Sequence, residues 1–255
     1  MLKRLGKAFR RLGIFLLISL LIGTSVFVIW AATPSGTPMP EALAALDSDE
    51  AVQVTRSDAL IFAPVGKAPK AGFIYYPGGR VPPEAYAPTA RALAEAGYLA
   101  VIVPMPLNLA ILNVNAADAI IARYPNVRVW AIGGHSLGGA MAARYAAQNA
   151  GKVQGLAVIA SYPESSMDMS ARTDLAVSVI YGTRDGLALP EQVEGARALY
   201  PASVEFVRIE GGNHAQFGWY GKQDRDNEAT ISHAEQQAQT TAALLALMAR
   251  IAPNE

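Results

Sequence analysis

The sequence predicts a doubly wound α/β domain with a mostly parallel sheet, carried behind one amino-terminal membrane-spanning helix. Three observations predict it. Residues 12–32 form an apolar stretch without a charge, directly after five basic residues. From about residue 50 onward, short and nearly continuous apolar runs alternate with segments of helical pattern, as in a sheet covered by helices on both faces. Glycines and prolines mark the ends of these segments, so the breaks fall where turns are needed.

Composition narrows the function classes. The 255 residues include 21 Lys+Arg, 21 Asp+Glu and no Cys, with 52% hydrophobic residues. That hydrophobic content excludes a disordered chain. The lack of Cys excludes disulfide scaffolds, thiol nucleophiles and Cys-ligated zinc. Balanced charge argues against a nucleic-acid partner. The balance is uneven along the chain: Lys3, Arg4, Lys7, Arg10 and Arg11 all precede the first acid, Glu41.

The elements follow in order. Residues 1–11 are a basic segment expected to be cytoplasmic. Residues 12–32, at ~1.5 Å per residue, make a helix of roughly 31 Å, enough to cross a bilayer core. Trp30 falls where an indole suits the lipid–water interface. The flanking bases place the following domain outside the cytoplasm. A cleaved secretory signal is the alternative, but its apolar region usually runs only ~7–15 residues. Residues 33–48 begin TPSGTPMP and read as an extended linker. The folded domain is assigned to residues 49–255.

Within that domain, 52–55 and 60–63 form a hairpin around Arg56-Ser57-Asp58. Strands are expected at 72–76, 99–103, 127–132, 156–160, 175–181 and 204–209. Helices are expected at 83–96, 116–124, 137–150 and 191–199. Ser232 and Glu235 have capping-box spacing, which starts a last helix over 233–251. Right-handed crossovers turn this order into a doubly wound sheet, whose ligands bind beyond the carboxyl ends of the strands.

The chemistry is therefore sought just after each strand. After 127–132 comes Gly133-Gly134-His135-Ser136-Leu137-Gly138-Gly139. Gly134-x-Ser136-x-Gly138 between a strand and a helix is the pattern of a sharp turn that exposes a serine hydroxyl. A serine needs a base, and the base an orienting acid. Of three histidines, His214 lies just past the last strand. His135 adjoins the serine and is expected to point elsewhere; His233 is read as a surface residue. Asp185, four residues past the 175–181 strand, is the acid; Asp168, Asp174 and Glu210 are poorer placed. The order Ser136, Asp185, His214 fits one hydrolase architecture and neither of the two main serine-protease orders. Oxyanion donors are expected from the Leu137 amide and from Gly78 or Gly79, with Arg80 also possible.

The stretches YYPGGRVPPEAYAP (75–88), GGHSLGGAMAARYAA (133–147), YGTRDGLALP (181–190) and GGNHAQFGWYG (211–221) resemble the α/β-hydrolase superfamily, in particular its small, lid-poor bacterial branch related to dienelactone hydrolases. Those enzymes carry a cysteine nucleophile where this chain has Ser136. The resemblance implies an α/β-hydrolase fold with a leading β-hairpin. Only about 14 residues separate residue 160 from the next strand, too few for a lid domain. An open, shallow site follows, lined by Asn108, Trp219 and Tyr220 with Phe217, and suited to carboxylic esters with a small or exposed acyl group. No metal or cofactor is required. Two other uses remain at this stage: a peptidase or acyltransferase with the same triad, and a membrane-tethered binding domain without catalysis.

Overall fold

The computed structural model describes residues 2–252, with side chains from residue 11. The basic side chains expected to mark the cytoplasmic end, apart from Arg11, lie outside the described residues. Eight strands form one sheet: β1 (Val52–Arg56), β2 (Leu60–Pro64), β3 (Gly72–Tyr76), β4 (Leu99–Ile102), β5 (Trp130–His135), β6 (Gly155–Ile159), β7 (Ala176–Gly182) and β8 (Glu205–Ile209). Their order is β1-β2-β4-β3-β5-β6-β7-β8. β1 and β2 form the expected hairpin, β2 pairs antiparallel with β4, and every later pairing is parallel.

Among the described residues there are seven α-helices: α1 (Leu2–Ala32), α2 (Pro40–Ala44), α3 (Ala87–Glu95), α4 (Ala116–Arg123), α5 (Leu137–Gln148), α6 (Pro190–Gly195) and α7 (His233–Ile251). Side-chain alternation along β3 shows how the two layers are filled. Phe73 and Tyr75 pack on one face in a core with Leu93 of α3 and Leu244 of α7. Ile74 and Tyr76 pack on the other in a core with Met141 and Tyr145 of α5. Both faces are covered, so the strands need no polar side.

Three differences from the sequence reading have physical causes. β5 runs on through Gly133 and Gly134, which pair with β3 on one side and β6 on the other, and through His135, which pairs with β6. Pairing on both sides overrides the weak strand propensity of glycine. The helix expected over 83–96 is a 3₁₀ turn (Pro83–Tyr86) followed by α3, with Pro88 in the first turn of α3. A proline there supplies no amide to a continuous helix but suits a new start. Residues 33–48, expected to be extended, lie against the domain. Ser35 N–H donates to Arg80 O (2.7 Å) and Met39 N–H to Trp219 O (2.9 Å). Pro40 starts α2, and Ala42, Ala45 and Leu46 are buried.

Candidate active site

The parallel register brings several carboxyl ends to one edge of the sheet: Tyr76 pairs with Gly134, His135 with Ile159, and Gly182 with Ile209. The turns that follow β3, β5, β7 and β8 therefore share a rim.

After β5 the chain bends abruptly. Ser136 has φ 54° and ψ −124°, a conformation that L-residues rarely hold and that persists only under constraint from its surroundings. The constraint is contact. A Cβ on Gly138 would lie 2.0 Å from Tyr76 O, and one on Gly134 would lie 2.5 Å from the same oxygen. Only glycine fits at either position. Ser136 is half-buried at the start of α5, and among the described residues its hydroxyl has no hydrogen-bond partner.

Asp185, after β7, and His214, after β8, meet on the same rim. His214 Nδ1 lies 2.9 Å from Asp185 Oδ2 and 3.1 Å from Oδ1. Both residues are almost fully buried. Asp185 Oδ1 also accepts the amides of Leu187 (2.8 Å) and Ala188 (2.7 Å), which fixes the carboxylate's orientation. The two loops are laced together: Arg184 N–H donates to Gly212 O (2.8 Å), and Gly211 N–H to Thr183 Oγ1 (2.9 Å). Asp226 joins them again, accepting from Gly186 N–H (3.0 Å) and Ala215 N–H (2.8 Å). Buried Gln236 of α7 holds the histidine loop through both the N–H (3.0 Å) and the C=O (2.7 Å) of Asn213.

The turn after β3 is resolved by its hydrogen bonds. Gly78 N–H donates to the buried Tyr86 hydroxyl (3.0 Å), and Arg80 N–H donates to Asn108 O (2.8 Å). The expectation that Gly78 supplies an oxyanion donor is corrected: its amide is already committed. Among the described residues, the amides of Gly79 and Leu137 have no acceptor. These two residues touch, since a Cβ on Gly79 would lie 3.3 Å from Leu137 Cδ2.

His135 is also corrected in importance. It is fully buried; its ring centroid lies 4.5 Å from that of His214, and its Nδ1 lies 2.9 Å from Tyr86 Oη. Tyr86 Oη accepts from Gly78 N–H and shares a second hydrogen bond with His135 Nδ1, whose direction depends on the tautomer of the ring. Burial pushes its pKa well below the usual value and keeps it neutral. Burial pushes the Tyr86 phenol up. A continuous chain from Gly78 through Tyr86 to His135 thus ties the β3 turn to the end of β5. Sequence reasoning missed Tyr86, Asp226 and Gln236, whose partners lie 8 to 49 residues away with no shared motif.

A cleft of about 590 Å³ opens beside Gly79 and Leu137. Leu109 and Leu187 line it, as do Trp30 from the last turn of α1 and Ser35 from the segment after it. The N-terminal segment supplies one wall of this cleft. None of the three expected substrate contacts lines this cleft. Asn108 Nδ2 donates instead to Ala31 O (3.3 Å) and Ala32 O (3.1 Å). Trp219 stacks on His233 (centroids 3.9 Å, 7° between planes), so His233 is only half-exposed. Tyr220 is buried, 6.4 Å from the His135 ring, and its hydroxyl donates to Gln223 Oε1 (2.6 Å). Phe217 is buried in the same core. Apolar bodies next to a large core are more stable buried there than lining a wet cleft.

The rival acids are occupied elsewhere. Asp174 pairs with Arg172, Asp168 accepts from Ser170 N–H, and exposed Glu210 pairs with Arg208. Among the described residues, no group of three or more His, Asp or Glu is placed to hold a metal ion.

Residues 72–238 match the model of the alpha/beta hydrolase family. No curated protein sequence matches the chain. Solved structures with the same fold include the esterase domain of a Rhodothermus marinus protein, with 15% identity and a TM-score of 0.57 over 78% of this chain and 98% of that one. A Klebsiella pneumoniae protein assigned as a dienelactone hydrolase has 16% identity and a TM-score of 0.60 over 76% and 99%. Est1E from Butyrivibrio proteoclasticus has 13% identity and a TM-score of 0.54 over 78% and 99%.

Proposed function

The chain belongs to the alpha/beta hydrolase family, and from that premise we propose that it is a membrane-tethered serine hydrolase that cleaves carboxylic esters through an acyl-enzyme. The observation that carries this reading is the buried Asp185–His214 pair on the sheet edge that also holds the strained Ser136. Esterase structures among those of the same fold support it.

In this reading Ser136 Oγ attacks the ester carbonyl carbon. His214 Nε2 takes the hydroxyl proton as the new C–O bond forms, and Asp185 stabilises the resulting imidazolium through Nδ1. The tetrahedral oxyanion accepts hydrogen bonds from Gly79 N–H and Leu137 N–H, neither of which has an acceptor among the described residues. The start of α5 adds the favourable field of a helix N-terminus. Collapse breaks the bond to the leaving alkoxide, which takes the proton from His214. Water then repeats the sequence on the acyl-serine and releases the acid.

Tethering rests on α1, of which residues 11–32 are long and apolar enough to span a bilayer. The last turn of this helix is bonded into the domain through Asn108, which favours a retained anchor over a signal removed after synthesis. The basic flank places the domain outside the cytoplasm.

Fluorophosphonate labelling of the full chain in detergent tests the catalytic assignment. Ser136→Ala abolishes labelling, and His233→Ala keeps it. Labelling that persists in Ser136→Ala would refute the nucleophile.

A further inference from the structure

We infer that the catalytic cleft opens onto the membrane surface, and that its substrate is an amphipathic ester whose acyl chain stays in the bilayer while its carbonyl reaches Ser136. This deepens the ester-hydrolase reading and rests on it.

The argument starts at the end of α1. The last four carbonyls of a helix have no intrahelical partner, and a span must satisfy them where it leaves the lipid. Thr33 does so locally for Ile29 O, through its N–H and its hydroxyl, and the catalytic rim does so for the last two carbonyls. Asn108 Nδ2 donates to Ala31 O and Ala32 O, Arg80 Nε donates to Thr33 O (2.9 Å), and the Arg80 guanidinium sits 4.5 Å from the centre of the Trp30 ring. A cation at a helix C-terminus is favoured by the helix field, and over an indole by the ring quadrupole. Leu107 (φ 50°) and Asn108 (φ 56°) both hold left-handed backbone, which aims the Asn108 amide at the helix end.

The consequence is positional. Trp30 and Ala31 end the apolar span, so they mark the lipid–water boundary. Arg80 belongs to the turn that carries Gly79, and Trp30 itself lines the cleft beside Gly79 and Leu137. Ser136 directly precedes Leu137, so the reacting centre adjoins the cleft that Trp30 lines. A water-soluble substrate does not require this placement; an ester resident in the leaflet does.

A second observation comes from another segment of the rim. Directly after Asn108 the chain forms a 3₁₀ turn, Ala110–Leu112, whose Ile111 and Leu112 are half exposed. At ~2 Å rise per residue they lie roughly 6–8 Å along the chain from the residue that grips the helix end. Interfacial segments bury their apolar side chains about 5–10 Å into the headgroup region, so the bilayer beside α1 is within their reach. They do not line the cleft, so their exposure has no role in substrate contact.

The test uses the full chain in phosphatidylcholine vesicles. Because the protein has no Cys, Ile111→Cys carries a unique environment-sensitive fluorophore. Its emission is expected to shift blue and to be quenched by a lipid-borne quencher, while the same probe at Ser203→Cys, before β8 at the opposite sheet edge, stays water-like. The double variant Ile111→Ser, Leu112→Ser is expected to cut the rate on a fluorogenic long-chain ester dissolved in the vesicles by about tenfold. Its rate on a soluble short-chain ester and its fluorophosphonate labelling stay within about twofold of the parent, which also shows that it folds. A water-exposed probe at residue 111 with full labelling overturns the membrane-facing cleft and leaves the hydrolase reading standing. A blue shift untouched by the lipid quencher assigns the patch to a second copy and also overturns it. Absent labelling of the unmodified protein removes the hydrolase reading and the substrate class together, whatever the probe reports.

Discussion

Tyr86→Phe removes one oxygen from the centre of the molecule and tests the chain that ties the β3 turn to β5. The hydroxyl accepts from Gly78 N–H at 3.0 Å and lies 2.9 Å from His135 Nδ1, at a fully buried position. Phenylalanine fills the same space and satisfies neither group. Each buried polar atom left without a partner costs about 1–3 kcal/mol, and the two share one site, so about 3 kcal/mol is expected in total. For a domain of this size that lowers Tm by roughly 6–12 °C. The freed Gly78 amide also loosens the turn that presents Gly79, and kcat is expected to fall about tenfold with KM little changed. Thermal unfolding in detergent and ester kinetics on the same preparation measure both. Tyr220→Phe is the control: its hydroxyl bonds Gln223, which is half-exposed and can turn to water, so the loss stays under about 1 kcal/mol. A Tyr86→Phe protein within about 1 °C of the parent, or equal losses in both variants, would refute the reasoning.

Two further outcomes follow from the same site. Asp185→Asn keeps the shape but supplies an amide where His214 Nδ1–H needs an acceptor, so kcat is expected to fall by about 10²–10⁴; a variant within threefold of the parent would show that Asp185 does not orient the base. Stability should also fall with acid. His135 is held neutral by burial, with its folded pKa far below the unfolded value of about 6.5, so above that pH neither state binds the proton. Below it the unfolded chain takes a proton that the fold refuses, and stability drops by up to about 1.4 kcal/mol per pH unit. Unfolding measured at pH 7.5 and 5.5 should show this slope in the parent and a flatter one in His135→Gln.

The architecture was legible in the residues because apolar runs and breaks are local signals. The hairpin, the alternation of strands and helices, and the cap at Ser232 and Glu235 were each readable from a window of about ten residues. The positions of Ser136, Asp185 and His214, just past β5, β7 and β8, were also legible, because strand ends can be read from local pattern. Boundaries were less so: β5 continues through two glycines because neighbouring strands hold it there.

What the sequence by itself determined is the set of local choices: which segments are strands, where the chain must bend at glycine, and which stretch prefers lipid to water. Only the tertiary structure decided which amide of the β3 turn is free, because that depends on Tyr86 and Asn108 reaching it from elsewhere in the chain. Only the tertiary structure likewise turned a proline-rich stretch into a wall of the cleft and moved Trp219 and Tyr220 into the core. Local pattern sets the preference of each segment for water or apolar surroundings. Competition among distant partners for the same donors and the same buried space decides which of those preferences is met.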